Sequence, residues 1–243
     1  MNEILNGDCL ELMNYISDSS IDMILCDLPY GTTACKWDTV IPFDKLWAQY
    51  ERVIKPNGAI VLTASQPFTT VLINSNLKMF KYCWIWNKRF AGNFVLAKYQ
   101  PQKIHEDICV FSKKTHQYIP QMAIRDKPIK MGKNRSESGS VNLSKAKDEY
   151  TGKVYTKKYP ESIIEHNVRV GRGLHPTQKP VALFEYLIKT YTNAGDLVLD
   201  NCAGSGTTAI ACINTNRNYI VMEQDEKYFD IMKARITQHA ELF

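Results

Sequence analysis

Apolar residues fall in two alternating patterns along the chain. Short continuous runs occur at Ile21–Cys26, Ala59–Ala64, Val198–Leu199 and Tyr219–Met222. Runs of this length bounded by turn residues read as strands buried on both faces of a parallel sheet. Between them lie stretches with helical spacing. Phe43, Leu46, Trp47, Tyr50 and Ile54 mark one helix, and Val181–Tyr191, 207–214 and 226–238 mark three more. Near the start, Glu3–Asn6 is a short strand closed by Gly7-Asp8-Cys9, and Leu10, Leu12, Met13 and Ile16 outline a short helix. Lys55-Pro56-Asn57-Gly58 reads as a turn that stops the Phe43 helix. Phe68–Ile73 begins another helix. Tyr82–Lys88 and Glu106–Phe111 are strand-like, and their long connection, holding Phe90, Phe94 and Tyr99, suits an antiparallel edge hairpin whose connection reaches over the substrate face. The sum is an α/β domain with a Rossmann-like sheet, mostly parallel, with that hairpin at its edge.

Two strand ends carry candidate chemistry. The first is Asp27-Leu28-Pro29-Tyr30, directly after the Ile21 strand. An acceptor, a stiff turn and a flat ring at a strand's carboxyl end sit where open α/β sheets bind ligands. Such a site suits a planar molecule bearing an amino group, although an aspartate-capped surface turn would read the same way in isolation. The second is Asp200-Asn201-Cys202-Ala203-Gly204-Ser205-Gly206-Thr207-Thr208, a glycine turn between a strand and a helix. Its glycines permit close backbone approach, and Glu223 ends the following strand seventeen positions after Gly206, where an acid can take ribose hydroxyls. This is a βαβ nucleoside site. A nicotinamide enzyme has similar spacing, and Ala209 at the third-glycine position does not exclude it, but a pyrophosphate would be repelled by Asp200 and the Asp27–Tyr30 site would go unused. Asp8, also at a strand end, either faces the ligand or caps the helix after it.

Composition narrows the partners. The chain has 243 residues and a net charge of +5. From 112 to 172, fourteen Lys and Arg face six Asp and Glu, so this stretch holds a surplus of eight and the remainder is slightly acidic. A basic module on such a body fits a polyanion, although a lysine-rich solvated loop has the same charge. Its periodicity is weak, and it reads as an insertion. Seven cysteines form no C-x-x-C pair, so neither a zinc ribbon nor a redox dithiol is expected, and no metal site. No basic-then-apolar leader and no apolar run of membrane-spanning length appear, so a reducing cytoplasm and no membrane partner are expected.

Together these segments resemble the amino-methylating DNA methyltransferases that use S-adenosylmethionine. Asp27-Leu28-Pro29-Tyr30 is similar to their catalytic Asp-Pro-Pro-Tyr, and residues 200–208 to their cofactor loop. Catalytic motif, basic insertion and cofactor loop come in the order of the circularly permuted β class. His175–Pro180 and the Trp86-Asn87-Lys88 … His105-Glu106 pattern also match, and Tyr30–Thr33 with Trp37-Asp38 resembles adenine-modifying members of phages and prophages. The resemblance implies catalytic roles for Asp27, Leu28, Pro29 and Tyr30. It implies cofactor contacts from Asp8 (to adenine), Cys9 and Asp27, from Thr177, Gln178 and Lys179 (the last to the methionine carboxylate), from Asp200, Asn201 and Ala203, from Gly204, Ser205, Gly206, Thr207 and Thr208, and from Glu223 (to the ribose). Residues 1–111 would be the catalytic part, 112–172 an inserted target-recognition region and 173–243 the cofactor part of one domain. The implied partner is double-stranded DNA, with a homodimer and a cognate restriction nuclease as further expectations. N6 of adenine is the implied target. N4 of cytosine and a catalytically silent DNA-binding relative remain open. Leu28 departs from the family's proline but keeps the backbone carbonyl, and Pro29 still holds it extended.

Overall fold

The structure is a computed structural model that describes residues 2–32, 38–130, 154–166 and 178–241. Thr177, one of the expected cofactor residues, lies outside them. The chain contacts divide it into two units, 1–119 with 162–243, and 120–161.

The larger unit is built on an eight-stranded sheet. In chain order its strands are β1 (Asn2–Asn6), β2 (Ile21–Cys26), β3 (Ile54–Ala64), β4 (Phe80–Asn87) and β5 (His105–Phe111), and later β8 (Ile163–Glu165), β9 (Leu197–Asp200) and β10 (Asn218–Glu223). Their spatial order is β1-β10-β9-β2-β3-β5-β4-β8. From β1 through β3 every pairing is parallel, and β5 then runs antiparallel to both β3 and β4. The continuous apolar runs are the central strands: β2 and β9 are buried on both faces, as helices packed on each side require. The hairpin is not the sheet's edge, because β8 adds parallel to β4, pairing Ile85–Asn87 with Ile163–Glu165. Only Ile164 of β8 is buried, which explains why its three residues carry no sequence signal.

Helices α1 (Cys9–Leu12), α2 (Phe43–Val53), α3 (Phe68–Ser75), α4 (Val181–Tyr191), α5 (Thr207–Thr215) and α6 (Glu226–Ala240) cover the two faces. One core layer holds Trp84, Trp86, Leu183, Phe184 and Ile210 with Met232. The other holds Leu28, Leu46, Trp47, Tyr50, Phe68 and Phe111. Residues Lys55–Gly58 do not form a separate turn. They belong to β3, where the four residues 55–58 oppose the single Asp22 of β2 between the Ile21–Ile54 and Met23–Ala59 pairs. Proline and glycine are accommodated there because the ladder is bulged.

The smaller unit contains an antiparallel pair, β6 (Ala123–Lys130) and β7 (Val154–Lys158), with a register shift between Ile124 and Ile129. The Arg125 guanidinium donates to the Lys157 carbonyl at 3.1 Å. This unit is narrower than the segment 112–172 set apart by charge. Residues 112–119 pack on the larger unit: the buried Ser112 hydroxyl donates to the Gly58 carbonyl at 2.8 Å, and the Ile119 N–H to the Thr190 carbonyl at 2.7 Å. Ser162 likewise accepts from the Ile85 N–H at 2.8 Å. Net charge marks the basic stretch; the backbone contacts at its two ends place its limits.

Candidate active site

Four parallel strands, β1, β2, β9 and β10, end on the same side of the sheet, and their carboxyl ends line one cleft of about 850 Å³. That is toward the large end for small-molecule sites, room for a nucleoside cofactor and a second planar group. The lining takes in Asp8 and Cys9 after β1, Asp27 through Tyr30 after β2, Asp200 through Ser205 with Thr207 after β9, and Glu223 at the end of β10. Gln178 and Lys179, just ahead of α4, complete it. Of the expected residues that are described, only Gly206 and Thr208 stand behind the wall. The two motifs, remote in sequence, therefore share a cavity.

The turn after β9 is held from several sides. Gly206 sits at φ +80°, and a Cβ there would lie 2.7 Å from Met232 Cγ, so the tight passage over α6 needs glycine. Glu223 supports the turn through its own carboxylate, which accepts from the Gly204 N–H at 2.8 Å and the Asp225 N–H at 2.9 Å. Burial pushes the Glu223 carboxyl up, opposed by those N–H groups. Arg235 of α6 donates to the Ser205 carbonyl at 2.9 Å, and Tyr50 of α2 donates to Asn201 at 2.5 Å. Asp200 is almost fully enclosed. It accepts from the Thr208 hydroxyl and from the Cys202 N–H at 3.1 Å, yet burial still pushes its carboxyl up to about 7. Thr208 is thus a partner of Asp200. Asp8 caps α1, accepting from the Leu10 N–H at 2.7 Å, and also lines the cleft, so both readings of it hold.

At the other strand end, Leu28 points into the core and Asp27 into the cleft. Asp27 Oδ1 accepts from the Tyr30 hydroxyl at 2.8 Å and from the Thr63 hydroxyl, and its Oδ2 accepts from the Lys179 ammonium at 2.6 Å. The Tyr30 ring stacks on Phe68 with centroids 4.9 Å apart. Burial first, and then Asp27, raise the Tyr30 hydroxyl's pKa well above its ordinary value, so it remains a donor. Asp38 accepts from the N–H groups of Gly31 and Thr32 at 2.8 and 2.9 Å and fixes the turn that follows.

Lys179 is 7 % exposed and sits between two carboxylates, with Glu106 Oε2 at 3.5 Å on its other side. Glu106 also accepts from Lys88 at 2.8 Å. Burial pulls the Lys179 ammonium down, but Asp27 and Glu106 outweigh it and the net direction is up. The opposite balance holds Glu106 below its usual range: burial raises it, and Lys179 and Lys88 more than offset that. The sequence gives no sign of Thr63, Phe68 and Arg235 as site residues. Thr63 and Phe68 lie in or beside an apolar strand, and Arg235 on a helical face. Lys88 and Glu106 fall in a pattern noted from the resemblance, but without a role.

A mostly parallel sheet whose strand ends carry a glycine turn, a trailing acid and an Asp-x-Pro-Tyr corner has the layout of a nucleoside-binding α/β fold. The family model described as DNA methylase, covering N6 and N4 amino-methylation, matches residues 21–234, and the chain belongs to that family. Similar proteins include the Type II methyltransferases M.HpaI of Haemophilus parainfluenzae and M2.MboI of Moraxella bovis. M.HpaI is 26% identical over 96% of this chain and 73% of its own length, and M2.MboI 27% over 96% and 86%. Among solved structures, the M1.HpyAVI–SAM complex superposes with a TM-score of 0.67 at 25% identity, covering 97% of this chain and 99% of that one. The cytosine-N4-specific PvuII DNA methyltransferase shares the fold, with a TM-score of 0.63 at 16% identity over 97% and 90%. Among the described residues no group of side chains could hold a metal ion, and no helix is long and apolar enough to cross a membrane.

Proposed function

We propose that this DNA methylase transfers a methyl group from S-adenosylmethionine to N6 of an adenine flipped out of duplex DNA. The observation that carries this reading is the single cleft joining the glycine turn to Asp27–Tyr30. When bound, S-adenosylmethionine supplies a methyl group already activated on a sulfonium, which leaves as a neutral thioether. The cleft fits it by the chemistry of its walls: Glu223 and Asp8 are acceptors for ribose hydroxyls and an exocyclic amine, and Asp200 is a buried carboxyl suited to the amino-acid ammonium.

The chain's own residues do the rest. Adenine's amino lone pair is delocalised into its ring. Asp27 accepts one amino hydrogen and the Leu28 carbonyl the other, which localises the lone pair toward the methyl. Asp27 takes the proton that the new N–C bond displaces. Positioning and electrostatics carry the rate, and no nucleophilic side chain is required. Flipping the base costs a few kcal/mol of stacking and pairing, of which the Tyr30 ring returns roughly 1–3 kcal/mol. The basic stretch 112–172 grips phosphates and presents base-reading side chains, so that affinity falls with salt.

An N4-cytosine enzyme would use the same corner, and the PvuII likeness keeps that reading in view. Family analogy favours adenine, because cytosine-N4 enzymes more often begin this motif with serine where Asp27 stands. DNA from cells expressing the protein, digested to nucleosides and analysed by mass spectrometry, decides it. N6-methyladenine is expected. N4-methylcytosine alone would overturn the adenine assignment and leave the cleft chemistry intact.

A further inference from the structure

We infer that Lys179 is a movable counter-ion: in the free protein its ammonium occupies Asp27, and entry of the target amino group sends it to Glu106, freeing the Asp27 carboxylate to accept. This rests on the reading of Asp27 as acceptor for an exocyclic amine. Three contacts already crowd that carboxylate: Tyr30 and Thr63 on Oδ1 and Lys179 on Oδ2. A carboxylate offers about four acceptor sites in all. The two hydroxyls orient it from its own side of the sheet. The Lys179 contact is different, because an oxygen neutralised by an ammonium at 2.6 Å is a poor acceptor for an amine and a poor destination for its proton. An ammonium beside a nitrogen that gains positive charge during transfer would also oppose the reaction.

The place to which Lys179 goes is already built. Glu106 Oε2 is buried and has no hydrogen-bond partner, and it lies 3.5 Å from Lys179 Nζ. That oxygen is held by a long ion pair with Lys179 alone, which leaves it under-satisfied and room for the contact to tighten. Closing to the roughly 2.8 Å of a charge-assisted bond needs only a shift of the side-chain tip. The parts around it are fixed. Glu106 stands in β5 opposite Trp86 of β4, and its other oxygen accepts from Lys88 at 2.8 Å. The Lys179 carbonyl accepts from Thr207 at 3.4 Å, next to Pro180 at the start of α4. Two lysines and two carboxylates balance before and after the shift, so a neutral base can enter without stranding a charge. Lys179 and Glu106 are then positioning residues, and Asp27 is the group that touches the base.

The test compares Glu106→Gln with the double variant Glu106→Gln/Lys179→Met, in single-turnover methyl transfer at saturating cofactor. The substrate is a duplex carrying the site mapped from expressing cells. Glu106→Gln leaves Lys179 on Asp27, and the rate falls about ten- to a hundred-fold, the loss expected for one charge-assisted bond. Removing Lys179 as well returns at least ten-fold of that loss, with the cofactor kept saturating for each variant so that any change in its affinity does not enter the rate. A double variant as slow as Glu106→Gln, or slower, overturns the inference, since a lysine that merely holds the site together or keeps Asp27 ionised could only make matters worse by leaving. If a variant does not fold, the wild-type protein answers. In a complex with that duplex and a non-transferring cofactor analogue, Lys179 Nζ is expected on Glu106 Oε2, and Nζ still on Asp27 beside a seated base overturns it. Which amine the wild type methylates is read separately, so a failed adenine assignment cannot be mistaken for a failed switch.

Discussion

Tyr30 does two things that can be separated by substitution. Its hydroxyl donates to Asp27 at 2.8 Å, and its ring, backed by Phe68 at 4.9 Å, is the surface we propose for the flipped base. Tyr30→Phe removes only the first. A hydrogen bond to a charged group contributes about 1.5–3 kcal/mol, but Thr63 still holds the same Asp27 oxygen and softens the loss. The expected result is a single-turnover rate down about ten-fold, with base flipping intact. Tyr30→Ala removes the ring too. It forfeits a ring–ring contact worth about 0.5–1.5 kcal/mol and base stacking worth about 1–3 kcal/mol. The further loss is about ten- to a thousand-fold. Transfer of labelled methyl to DNA measures the rate, and 2-aminopurine fluorescence at the target position measures flipping. Equal losses in the two variants would remove the stacking role. A wild-type rate for Tyr30→Phe would remove the hydroxyl's role in orienting Asp27.

Two further substitutions probe the cofactor side. Gly206→Ala forces a side chain into a left-handed backbone and against Met232, and should lower unfolding stability by about 2–4 kcal/mol; an unchanged urea midpoint would contradict this. Asp200 carries a carboxyl raised from 3.8 to about 7, so the folded protein binds the extra proton and stability falls as pH rises through that window, by up to ~4 kcal/mol. Asp200→Asn should therefore be the more stable protein at pH 8, with the gap closing toward pH 4 in thermal unfolding; a gap independent of pH would refute the burial argument.

Much of the site could be read from the sequence because its parts are local. A strand, a turn and the residues at the strand's end are neighbours in the chain, so Asp27–Tyr30 and the 200–208 turn could be placed on strand ends before any coordinates. Helix α4 falls on the residues that its apolar spacing marks. What could not be read is set by tertiary contact. Thr63 belongs to an apolar strand and meets Asp27 only because β3 lies beside β2. Lys179 is marked by the resemblance for the methionine carboxylate, and its seat between Asp27 and Glu106 comes only from tertiary contact. The Lys55–Gly58 bulge was hidden because proline and glycine signal turns more often than bulged strands.

The central claim is that Asp27 accepts the amine that receives the methyl group. Asp27→Ala tests it most directly, with methyl transfer to DNA and cofactor binding measured on the same preparation. The account predicts no detectable transfer with the cofactor still bound, because Glu223, Asp8 and the glycine turn are untouched. Transfer by Asp27→Ala at near the wild-type rate would contradict it.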